Sequence, residues 1–142
     1  MKENMTVHQS GLHLPVSRAF IKIITEYLPP PPLVPPAVTL NFRDPKYSAE
    51  SGGFHPVEIR LTRHADGWYF DYVTDFSYMG HPWPELELEK EFDVCWSQRY
   101  IWHILMGDTD TEEGGALFEL WQRNFIRYCR MKIYTVTVQQ ES

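Results

Sequence analysis

The chain has 142 residues, 43% of them hydrophobic and 15% aromatic, which is enough for one globular domain with a real core and no need of disulfides or metal. Its net charge is -6, and the charge is uneven: residues 1–63 carry 7 Lys/Arg against 5 Asp/Glu, while the remainder carries 6 against 14. An acidic second half argues against a nonspecific nucleic-acid binder, which needs a basic face to displace counterions, and solubility is its default meaning.

The start, MKENMTVHQSG, is polar and lacks the apolar core of a signal peptide, and no apolar run approaches membrane-spanning length. A cytoplasmic protein without membrane contact is expected, with residues 1–13 as a flexible arm and 14–142 as a single domain. Within PVSRAFIKIITEYL, residues Phe20, Ile23, Ile24, Tyr27 and Leu28 recur at helical spacing, and Pro15 suits a helix start. Pro29 to Pro32, then Pro35 and Pro36, end the helix and predict a stiff polyproline strap leading to a sheet.

From Val38 the period becomes two. Val38, Leu40 and Phe42 alternate with polar residues until Asp44-Pro45. After Gly52-Gly53, which suit positive φ in a tight loop, Val57, Ile59 and Leu61 resume the alternation. The turn His64-Ala65-Asp66-Gly67 then predicts a hairpin with WYFDYVTDFSY. A register with Ile59 opposite Tyr72 and Leu61 opposite Phe70 sets Arg60 against Asp71. GHPWP is a rigid turn, and ELELEKEFDVCW alternates Phe92, Val94 and Trp96 with Glu91 and Asp93, as an edge or solvent-facing strand would. RYIWHILM reads as one short strand. EEGGALFELWQRNFIRYCRM is the strongest helix, with a capping box expected from Thr109 and Glu112, and KIYTVTVQ closes the chain as a strand. The fold class is therefore α+β: a mainly antiparallel twisted sheet of about five strands with an N-terminal and a C-terminal helix packed on one face.

The candidate surface gathers on the loops. Arg43 can clamp a carboxylate, and Asp44 can bond nearby amides. His55 can converge with Asp75, His81 or Glu85 from the neighbouring turn, although His55 and Glu58 point to opposite sides of a strand and no spacing demands a metal. Glu58, Asp71, Asp75 and Asp93 are placed together on the outer face as a solvated surface. The binding surface expected is Asn41, Arg43, Asp44, Tyr47, Glu50, His55, Glu58, Asp75, Tyr78, His81 and Trp83, rimmed by exposed aromatics that also include Phe54 and Tyr69. No nucleophile–base arrangement, phosphate loop, cofactor or metal ligand set is assigned, and Cys95 and Cys129 read as buried reduced thiols.

The passages NFRDPKYSAESGGFHPVEIRL, WYFDYVTDFSYMG, PEL and LFELWQRNFIRY resemble an uncharacterised bacterial family, domain of unknown function 2787, from about residue 12 to the C-terminus. The resemblance implies a small cytosolic bacterial protein and brings no reaction, cofactor or catalytic residue. The function expected is a non-enzymatic protein-interaction domain acting as a homodimer, through an aromatic surface or a free sheet edge. Two alternatives stay open. One is a small-molecule or metal-assisted enzyme at the Asn41–Glu58 loop and Asp75–Glu85 turn. The other is an acidic inhibitor of a nucleic-acid-binding protein, presenting Asp108, Asp110, Glu112 and Glu113.

Overall fold

The computed structural model describes residues 7–9, 11–12, 14–30, 35–47, 53–79 and 87–141. Their elements in chain order are β1 (Val7–His8), α1 (Arg18–Thr25), β2 (Ala37–Arg43), β3 (Val57–His64), β4 (Gly67–Met79), β5 (Glu87–Cys95), β6 (Tyr100–His103), β7 (Gly107–Thr109), α2 (Glu113–Arg130) and β8 (Thr135–Glu141). One sheet takes all eight strands, in the order β7-β6-β5-β4-β3-β2-β8, with β1 beside β4. The α+β class with a large antiparallel sheet holds, but the sheet has eight strands rather than about five. Val7–His8 adds a short parallel pairing to Trp68 and Tyr69. The segment read as one strand, RYIWHILM, folds into the hairpin β6–β7 around an Ile104–Met106 turn.

The inner face follows from the alternation. Val38, Leu40 and Phe42 pair with Leu61, Ile59 and Val57, and Leu61 in turn lies opposite Phe70. All are buried, and burying each large side chain contributes about 1.5–3 kcal/mol. Both helices lie against this face: Phe20 of α1 packs on Phe70 and on Phe118, Trp121 and Phe125 of α2, while Phe42 meets Phe125 edge-on at 5.0 Å.

The helix limits differ from those expected. α1 begins after Ser17, whose hydroxyl accepts from the Phe20 amide at 3.1 Å, rather than at Pro15. Gln122 of α2, almost wholly buried, accepts from the Ser17 amide and donates to the Pro15 carbonyl, which holds the entry straight against α2. The Thr109/Glu112 capping box does not form. Thr109 is still in β7, and Asp110 instead accepts from the amides of Glu112 and Glu113 at 3.0 and 2.8 Å. β8 follows α2, as the strand pattern of KIYTVTVQ predicts.

Two β-bulges set the register. Leu61 faces Phe70 as expected, but Arg60 pairs with Tyr72 and Ile59 with Val73, so Asp71 is the extra residue of β4. The Arg60–Asp71 ion pair still forms, at 2.6 Å, because the bulge swings Asp71 towards the guanidinium. On β5, Phe92 pairs with Asp75 and Lys90 with Phe76, which makes Glu91 the extra residue. β5 is not an edge strand, as its acidic alternation suggests, but lies between β4 and β6.

Candidate functional site

The outer face is not a uniform carboxylate surface. Across it run Asn41, Glu58, Thr74, Asp93 and Trp102 in register, with Thr39, Arg60, Tyr72, Cys95 and Tyr100 beside them. Asp93 is only 3% exposed and accepts from the Thr74 hydroxyl at 2.7 Å and the Tyr100 hydroxyl at 2.5 Å, with the Lys90 ammonium at 3.4 Å. Tyr72 donates to Glu58, and Arg60 bridges Asp71 and Glu141. Burial, then the hydrogen bond to a carboxylate, pushes the Tyr72 and Tyr100 phenols up. Each of these acids has its donors within the fold.

Asp75 belongs to the other face. Its partners in register, Val57 and Phe92, are both buried inner residues, so the expected grouping of Asp75 with Asp71, Glu58 and Asp93 is overturned. The Asp75 Oδ2 accepts from the Trp121 indole N–H of α2 at 2.8 Å, and its Oδ1 lies 3.0 Å from His55 Nδ1. The Glu91 Oε2 approaches the same Nδ1 at 2.8 Å. Simple alternation along β5 would leave Glu91 on the outer face with Asp93; the bulge re-aims it to the His55 side. The hydrogen bond that His55 donates to Asp75 raises the His55 pKa above 6.5, against the opposing pull of burial.

The loop ahead of β3 places His55. Asp44 closes it, accepting from the Lys46 amide at 2.9 Å with one oxygen and from the Phe54 amide at 3.1 Å with the other. Gly53 takes φ +124°, and a Cβ there would come within 3.0 Å of Asp44 Oδ2 and 3.1 Å of Tyr47 Cα. Gly53 thus takes the positive φ expected of the Gly52-Gly53 pair, and Gly52 lies outside the described residues. The Tyr47 ring meets His55 edge-on at 5.6 Å. Beside the cluster opens a cleft of about 300 Å³ lined by Phe54, His55, Asp75, Trp121, Asn124 and Tyr134. A smaller one of about 120 Å³, with His103 and Leu120, borders Glu91.

The expected binding surface is thus divided. His55, Asp75, Tyr47 and Asp44 gather at the cleft; Asn41 and Glu58 face the opposite side of the sheet; Arg43 is exposed at the end of β2. Tyr78 lies on β4, and Glu50, His81, Trp83 and Glu85 fall outside the described residues. Of the expected aromatic rim, Tyr47, Phe54 and Tyr69 are half-buried: Phe54 packs on Tyr128 at 4.6 Å, and Tyr69 packs against His8 and His64. Glu91 and Trp121 were not singled out by sequence. For Trp121 the signal was available, since an indole N–H on a helix's buried stripe must find an acceptor. A larger concavity of about 750 Å³ lies on the outer face between Arg60 and Arg99, but Arg60 there is already neutralised by Asp71 and Glu141. The acids offered for an inhibitor, Asp108, Asp110, Glu112 and Glu113, are all exposed, and Asp110 also accepts from the first amides of α2.

The sheet has two unequal ends. β7 is three residues long and carries Asp108; β8 is seven residues long, and six of its seven residues are exposed.

A family described as "Protein of unknown function (DUF2787)" matches residues 33–139. Among solved structures, the chain is similar to the hypothetical protein VC0508 from the VSP-II pathogenicity island of Vibrio cholerae, with 29% identity, a TM-score of 0.83, and coverage of 96% of this chain and 99% of that one. It is also similar to the conserved hypothetical protein VC1805 from pathogenicity island VPI-2 of Vibrio cholerae, with 30% identity, a TM-score of 0.74, and coverage of 93% and 100%. That protein is described as sharing structural homology with the human P32 protein. No curated protein matches the chain.

Proposed function

We propose, from the premise that this chain belongs to the family described as "Protein of unknown function (DUF2787)", that it is a non-enzymatic protein-interaction domain that acts as a homodimer, joined through β8. The observation that carries this reading is the unguarded edge. β8 pairs with β2 on one side and has no strand on the other among the described residues. Its sequence, Thr135-Val136-Thr137-Val138-Gln139-Gln140-Glu141, has no Pro, no Lys and no bulge, the devices that normally keep edges apart.

A second copy is the natural occupant. A strand paired antiparallel with itself about a two-fold axis presents the same patch from both subunits. Centred on Val138, such a pairing sets the two Val138 side chains against each other and Val136 against Gln140 of the other copy. Val138 is 40% exposed although it lies on the inner face, opposite the fully buried Leu40. The only charge on the strand, Glu141, is already paired with Arg60 and adds little repulsion.

Native mass spectrometry and light scattering test this. The expected result is a dimer that Val138→Lys converts to a folded monomer, because two like charges would meet at the axis. A wild-type monomer, or a dimer that survives the substitution, would overturn the reading.

A further inference from the structure

We propose that His55 Nδ1, Asp75 Oδ1 and Glu91 Oε2 form a binding site for one divalent first-row transition-metal ion, a zinc- or manganese-class ion held with open coordination positions. The three atoms lie within 4.8 Å of one another, with the imidazole nitrogen 3.0 Å from one oxygen and 2.8 Å from the other. They come from three places in the sheet: the loop ahead of β3, the middle of β4, and the bulge of β5.

The contacts within the cluster are better satisfied by an ion than by a proton. A single Nδ1–H makes one linear hydrogen bond, yet two carboxylate oxygens crowd that nitrogen. With His55 protonated the cluster keeps one surplus negative charge; with His55 neutral it keeps two. A divalent cation bound to neutral His55 balances both carboxylates. Donor atoms about 2.1 Å from a tetrahedral ion sit roughly 3.4 Å apart, so the present 2.8 and 3.0 Å contacts need open only by a few tenths of an ångström.

The surroundings support the same role. The second Asp75 oxygen is fixed by the Trp121 indole, the kind of outer contact that orients a metal-binding carboxylate. The bulge at Glu91 spends a ladder position to bring a third donor inward. His55 and Glu91 side chains are 37% and 31% exposed, and the 300 Å³ cleft lined by His55 and Asp75 gives room for water or a small anionic ligand on the ion. One imidazole and two carboxylates favour zinc- or manganese-class ions over calcium and magnesium, which prefer all-oxygen shells.

The test is calorimetric titration of metal-stripped full-length protein with zinc chloride at neutral pH, with cobalt(II) absorption as a second readout. One ion should bind per chain. Glu91→Gln should weaken it by more than about tenfold, since removing even an outer partner of a ligand typically costs about 10–100-fold. Because Glu91 is partly exposed, that variant should keep its unfolding temperature in chelator, and it decides the question if Asp75→Asn fails to fold. Absence of one-to-one binding would overturn the proposal, and so would full affinity in Glu91→Gln, which would place the ion on other histidines. Val138→Lys should leave zinc binding unchanged, so this site and the dimer edge fail separately.

Discussion

Asp93 and Asp75 lie on neighbouring strands of one sheet and on opposite faces of it, and they are treated in opposite ways. Asp93 is a single buried carboxylate surrounded by three donors: Thr74, Tyr100 and Lys90. Asp75 shares its space with a second carboxylate, and the two have one imidazole N–H and one indole N–H between them among the described residues. A fold that satisfies one acid fully has the means to satisfy another. The difference therefore separates an acid that holds the sheet together from a pair that keeps acceptor capacity in reserve beside a cleft.

The largest expected effect breaks the satisfied side. Hydrogen bonds to a charged group contribute about 1.5–3 kcal/mol each, and Asp93→Ala removes two short ones and leaves the Thr74 and Tyr100 hydroxyls unpaired under the outer face. Urea denaturation should show a loss of about 3 kcal/mol, with zinc binding intact. Asp75→Ala should cost less, about 1.5 kcal/mol, because the loss of the Trp121 and His55 bonds is partly offset by relief of the repulsion from Glu91, which keeps His55 as its partner. Equal losses at the two positions would erase the distinction.

A middle-sized effect comes from the loop that places His55. Gly53→Ala forces a side chain into φ +124° and towards Asp44 Oδ2, which ties the two ends of that loop. The expected cost is about 2 kcal/mol, since an alanine at a positive φ is strained by roughly 1–3 kcal/mol. The damage should stay at the cleft: amide exchange should rise around Lys46, Phe54 and His55 and not around Asp93 or Tyr100. Faster exchange on both faces would mean that the loop supports the whole sheet.

Much of this architecture was written in local pattern. The alternation of Val38, Leu40, Phe42, Val57, Ile59 and Leu61 dictates the inner face, and the turn at Asp66-Gly67 dictates the hairpin. The meeting of His55 with Asp75 is legible too, because the hairpin sets the start of β3 beside the middle of β4. The bulges at Asp71 and Glu91 were not. An extra residue is decided by how a strand fits its neighbour, and nothing in ELEKEFDVC by itself says which residue will lose its partner. The same cause misread β5 as an edge. Its acids look solvent-facing until Tyr100 arrives from β6 to cover Asp93, and β6 with β7 was read as one strand. Asp110 took the capping role from Thr109 because the β6–β7 hairpin had already used that threonine.

The smallest effect is also the one that reads the two clusters by proton rather than by mutation. In chelator, protonated His55 is the cation between Asp75 and Glu91, with the Tyr47 ring edge as its other close neighbour. The hydrogen bond to Asp75 holds its folded pKa above the unfolded value of 6.5. A raised pKa means that the folded state binds the proton more tightly, so the stabilisation is complete below about pH 6.5 and disappears as pH rises through the folded value. The stability gap between wild type and His55→Gln should therefore be widest near pH 6 and close towards pH 9. Neither hydroxyl that donates to Asp93 supplies such a titration. Thr74 does not ionise, and burial together with the hydrogen bond to Asp93 pushes the Tyr100 phenol up and out of this range. The Asp93→Ala deficit should stay level across the same window. Unfolding temperatures measured from pH 6 to 9 decide it: a His55 gap that stays flat or widens with pH would show that its carboxylates hold it without needing its charge.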